Sequence, residues 1–111
     1  MESPERIRGA ILHILKLFLE RDRVPGDDED GYMLEGNLQA HLAQYYRINL
    51  TEGLLRGHMT LLKDRDWVKY KETRTGLPPR VHVELLWRIT GDGLLIASGE
   101  RHDDLVAVPK W

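Results

Sequence analysis

Residues 70–90, YKETRTGLPPRVHVELLWRIT, decide how the chain is read. Val68 and Tyr70 alternate with Lys69 and Lys71, and Val81, Val83, Leu85, Trp87 and Ile89 alternate with His82, Glu84 and Arg88. A period of two marks half-buried strands. Thr75-Gly76-Leu77-Pro78-Pro79 separates the two runs, so the sequence predicts strands over 67–74 and 80–90 joined as an antiparallel hairpin with a proline-stiffened tip.

Upstream, the spacing of apolar residues changes to three and four, the period of helices. Ser3-Pro4-Glu5 supplies a cap, a first-turn proline and an acid for the helix dipole, and predicts a helix to about Arg21. Ile7, Ile11, Ile14 and Phe18 form one stripe on it, and Leu12, Leu15 and Leu19 a second. Two stripes fit a helix at the centre of a small core, or a second stripe reserved for a dimer contact. A second helix is predicted from Leu34 to Tyr45 through Leu38 and Leu42, and a third from a Thr51 cap to Asp66 through Leu54, Leu55, Met59 and Leu62. After the hairpin, Thr90 caps a short helix over 91–100, and residues 101–111 read as an extended tail.

The bulk properties narrow the functional classes. At 111 residues the chain suits one domain with one core. No apolar run is long enough for a membrane span. The start, MESPERIRGA, lacks a secretory pattern, which leads us to expect a cytoplasmic protein. The absence of cysteine excludes disulfides, thiolate catalysis and cysteine-bound zinc. Four consecutive acids, Asp27 to Asp30, follow Val24-Pro25-Gly26 in a solvated loop, without the alternating ligands of a calcium loop. His13, His41, His58, His82 and His102 are scattered, with no metal-ligand spacing, and His58 alone has the apolar neighbours expected of a half-buried position. No nucleophile motif, phosphate loop or dinucleotide fingerprint is present, so neither an enzyme nor a cofactor is expected. Trp67 and Trp87 read as packing residues. Charge is uneven: residues 1–50 hold six basic and nine acidic groups, 51–80 seven and four, and the remainder is again acidic.

The order of three helices, strand, wing, strand and helix resembles the winged helix, an α+β fold with a helix-turn-helix core. The resemblance is carried by Leu55, Met59, Leu61, Leu62 and Trp67-Val68, and by Trp87-Arg88-Ile89-Thr90 followed by Gly93-Leu94 and Ala97-Ser98-Gly99. That last run is similar to the strand-to-helix junction of MarR-like proteins. Tyr32-x-Leu34, the Thr-x-x-Gly-Leu junction and Val106 to Pro109 also resemble small winged-helix proteins of Mu-like prophages.

The resemblance implies a bacterial or prophage transcription regulator that binds double-stranded DNA, with the third helix in the major groove and the wing beside it. On the outward face of that helix, Arg56 and Thr60 are then the expected base contacts. Lys63, Lys69, Lys71, Arg74 and Arg80 are the expected phosphate contacts. Gly53 and Gly57, four residues apart, suggest close approach by DNA, by a partner subunit or by the chain's own second helix. A homodimer is expected through Leu12, Leu15, Leu19 and Leu95. Glu52, Asp64, Asp66 and Glu72 oppose phosphate and favour the alternative, a winged-helix module that binds a protein partner. An unbroken cationic band over helix and wing would favour DNA; an interrupted one would favour the module.

Overall fold

The computed structural model describes residues 2–20 and 31–108. The acidic run, Trp111 and the Pro109 end of the tail lie outside them. The elements are α1 (Pro4–Glu20), β1 (Met33–Leu34), α2 (Glu35–Tyr46), α3 (Glu52–Asp64), β2 (Val68–Thr75), β3 (His82–Ile89) and α4 (Gly91–Ala97). The sheet order is β1-β3-β2, antiparallel throughout. This is the winged helix, with β2 and β3 as the wing.

Local chemistry sets the boundaries. The Ser3 hydroxyl accepts from the Arg6 N–H, Thr51 from Leu54 and Thr90 from Gly93, each closing an open first turn. Arg47, left-handed at φ 56°, ends α2. Gly76, at φ +93°, permits the turn into the wing tip, where an added Cβ would strike the Arg80 carbonyl.

α1 packs against α2, α4 and β3 and forms the centre of the core. Leu12 and Leu15 are 0% and 1% exposed, in one cluster with Ile11, Leu38, Leu42, Leu55, Met59, Leu62, Trp87 and Ile89. The second stripe therefore lines the chain's own core, and the assignment of Leu12 and Leu15 to a dimer contact is corrected: their surface is already covered by α2, α4 and the sheet. Leu19 and Leu95 remain half-buried.

Two further readings change. Leu34 belongs to β1, where it pairs with Leu86, so α2 begins one residue later. Residues 101–108 are docked: the Ala107 N–H donates to the Glu5 carbonyl (2.9 Å), Arg8 Nη1 donates to the Leu105 carbonyl (3.1 Å), and Val106 is buried.

Arg8 also donates through Nε to His58 Nδ1 at 3.3 Å, joining α1 to α3. Burial, and then the charge of Arg8, hold the His58 pKa below its ordinary 6.5. The unfolded chain thus binds more protons below pH 6.5, and stability should fall from there down to the lower folded pKa. His13, lowered by burial and by Lys16, acts in the same direction. Thermal midpoints measured from pH 8 to 5 should decline below about 6.5. His58→Asn, which keeps an acceptor near the Nδ1 position, should flatten part of that decline, and an unchanged profile would contradict the assignment.

Candidate nucleic-acid interface

Leu55, Met59 and Leu62 seat α3 on the core and turn Glu52, Gly53, Arg56, Gly57, Thr60 and Asp64 outward. Thr60 Oγ1 donates to the Arg56 carbonyl at 2.9 Å, so its oxygen can still accept. A Cβ on Gly53 or Gly57 would meet nothing within 4 Å. That removes packing against α2 as the reason for either glycine. Gly57→Ala should raise stability by about 0.5–1 kcal/mol in a denaturant titration, because glycine is a poor interior helix residue. A loss of stability would mean that the open face is misread.

Arg56 is committed more tightly than its position suggests. Its Nε donates to Glu35 Oε1 (3.2 Å) and its Nη2 to Glu35 Oε2 (2.5 Å) and Glu52 Oε1 (3.3 Å). The Glu35 hydrogen bond, ahead of the charges, raises the guanidinium pKa and keeps it cationic. Trp87 Nε1 donates to Glu35 Oε1 at 3.2 Å, completing a node between α2, α3 and β3.

The strand register divides the remaining cations. Alternate residues of a strand face opposite sides, and the pairs Val68↔Ile89 and Tyr70↔Trp87 place the buried side chains of Val68, Ile89 and Trp87 on the core face. Glu72 and Arg74 follow on that side, 3.8 Å apart. Lys63 of α3 lies over the Tyr70 ring, 5.4 Å from its centroid. Lys69 and Lys71 point to the reverse face, where Lys69 is opposite Arg88 and Lys71 lies over the Tyr32 ring at 4.6 Å. Arg80 is exposed at the wing tip beside Leu77, which is 82% exposed.

The predicted contact residues are thus not one band. Arg56, Thr60, Lys63, Arg74 and Arg80 are on α3, the core-side face of the wing and its tip, interrupted by Glu52 and Glu72; Lys69 and Lys71 are behind. Glu35 escaped the sequence reading. Its one signal was an acid at a helix start with no cation three or four residues on, where Leu38 and Gln39 stand, which calls for a partner elsewhere. An apolar hollow of about 410 Å³ between α1 and α2, lined by His13, Ile14, Phe18, Met33 and Tyr46 among others, shares no residue with this surface. Among the described residues no group of three His, Asp or Glu is placed to hold a metal, and no helix is long and apolar enough to cross a membrane.

The surface and fold together are those of a winged helix with an open third helix. Solved structures of the same fold include a protein described as a transcriptional regulator from Thermoplasma acidophilum, 17% identical over 84% of this chain and 75% of that one, with a TM-score of 0.60. A PadR-like transcription factor from Bacteroides fragilis is 18% identical over 81% and 74%, at 0.56. Bacillus subtilis PadR in complex with operator DNA is 12% identical over 91% of this chain and 51% of that one, at 0.57. At these identities the likeness establishes the fold. No protein-family model matches the chain, and no curated protein matches it by sequence.

Proposed function

We propose that the protein is a small DNA-binding transcription regulator, non-enzymatic, that inserts α3 into the major groove and lays the wing along the adjacent backbone. The observation that carries this reading is the outward face of α3, where Gly57 leaves open space, the Thr60 oxygen can still accept, and Arg56, though held by Glu35 and Glu52, keeps 46% of its side chain exposed, with Lys63 beside them. The operator-bound PadR structure of the same fold supports it. Arg56 and Thr60 are assigned to base edges. Lys63, Arg74 and Arg80 are assigned to phosphates, and Lys69 and Lys71 take a lesser part from the reverse face.

A homodimer joined through the half-buried Leu19 and Leu95 would double the cations and read two half-sites. With DNA as partner, the site of action is cytoplasmic. The MarR-like and Mu-like prophage resemblances rest on sequence patterns alone, whereas the structures of like fold include PadR-like proteins.

Arg56→Ala should relax discrimination at one base pair by about 1–3 kcal/mol, whereas Lys63→Ala should weaken all duplexes alike and reduce the salt slope by about 1. Equal losses at every sequence for both variants would contradict the division of roles. A second reading, a protein-binding module, is favoured by the interrupted band and by the exposed wing residues Leu77, Val81 and Val83. It predicts that wing-tip substitutions abolish capture of a protein partner, and that the chain ignores DNA.

A further inference from the structure

Glu35 is the one buried charged side chain among the described residues, 8% exposed. Burying a carboxylate is costly, and an apolar residue of similar size would close the junction of α2, α3 and β3 at less expense in stability. The charge is nevertheless fully engaged: it sits in the first turn of α2, where the helix dipole favours an anion, and accepts from Arg56 Nε, Arg56 Nη2 and Trp87 Nε1. All of this fixes one edge of a guanidinium whose other end faces outward, the side chain being 46% exposed. Nη1 has no acceptor among the described residues.

Glu52 touches the same guanidinium differently. It is 74% exposed and one turn away on α3, a surface pair of the kind that contributes little and is readily exchanged. The two carboxylates therefore differ in kind: one is a buried clamp, the other an exposed latch that an incoming acceptor can displace.

We propose, building on the DNA-binding reading above, that Glu35 is a positioning residue for sequence readout: it clamps the Nε and Nη2 edge of Arg56, and a base displacing Glu52 receives Nη1 together with the second Nη2 hydrogen. Those two donors match the O6 and N7 acceptors of guanine. Pre-orientation by Glu35 makes the contact selective, because an unclamped arginine reaches phosphates and wrong bases equally well. Removing the clamp also removes a negative charge from the surface that meets DNA, so non-specific binding should be unchanged or stronger.

The test begins with a duplex selected from a random pool by the wild-type chain. Its single-base-pair variants are then titrated with the wild type, Glu35→Gln, Glu52→Gln, Arg56→Ala and the Glu35→Gln/Arg56→Ala double variant, with thermal midpoints recorded. Glu35→Gln and Arg56→Ala should lose discrimination, by roughly tenfold, at the same G·C pair, and the double variant should lose no more. Glu52→Gln should keep discrimination while binding every duplex more tightly. Full discrimination in Glu35→Gln would overturn the proposal, as would a uniform weakening that tracks its loss of thermal stability. Should Glu35→Gln fail to fold, Arg56→Lys decides: it keeps the charge without the fork, so wild-type discrimination in that variant overturns the clamp. Failure of the wild type to select any duplex would instead overturn the DNA reading itself, and the clamp's role in readout with it.

Discussion

Gly93→Ala should cost about 3 kcal/mol or more, lowering the thermal midpoint by roughly 15 °C. A Cβ at this position would collide with the Trp67 carbonyl oxygen and lie 2.7 Å from Ile89 Cγ1. Neither can give way cheaply. The Trp67 carbonyl accepts from the Thr90 N–H at 3.0 Å, and the Thr90 hydroxyl both donates to the Asp66 carbonyl at 2.6 Å and caps α4 through Gly93. Asp66, Trp67, Thr90 and Gly93 thus form one joint, which ties the end of α3 and the start of β2 to the end of β3 and the start of α4. Relaxing the clash would move the strands that carry the wing. A midpoint within a few degrees of the wild type would show that the joint is looser than its contacts state.

Leu12→Ala should be the second severe change, destabilising by about 2–5 kcal/mol through the lost burial and the cavity left behind. Leu12 is 0% exposed at the centre of the core, so the loss belongs to the monomer. The mass in solution of the folded variant should match the wild type. Leu19→Ala, at a half-buried position, should be milder in stability, and under the proposed homodimer it is the substitution that should lower the mass in solution. A stable Leu12→Ala chain with a reduced oligomeric mass would restore Leu12 to the interface and contradict the packing described here.

The Thr90-x-x-Gly93 joint shows why much of the architecture was legible in the sequence. Thr51 and Thr90 cap helices through their own hydroxyls, and the two wing strands follow from an alternation broken in β3 only at Leu86, so these features depend on residues near one another in the chain. β1 was missed because two residues carry no period; it exists only because β3 offers Trp87 and Leu86 as partners. The docking of residues 101–108 was missed for the same reason, since Arg8 and Glu5, about a hundred positions upstream, supply its bonds.

The site divides along the same line. The outward face of α3 follows from the spacing of Leu55, Met59 and Leu62. Which side of the sheet faces α3 depends on the register of β2 against β3, and that separates Lys69 and Lys71 from Lys63 and Arg74 although all are close in sequence. The pairing of Arg56 with Glu35, 21 positions away, leaves only one local trace, an acid at the start of α2 without a cation three or four residues on, and nothing nearby names Arg56 as its partner.

DNA binding is measured most directly by titration of a fluorescent duplex with the purified chain at low and at moderate salt, against an excess of unrelated competitor DNA. A regulator that reads DNA through α3 and the wing should show affinity that falls steeply as salt rises, with a fraction of binding to a selected sequence that survives the competitor. No binding even at low salt would contradict that reading, and would give the exposed wing and the interrupted cationic surface to a protein partner instead.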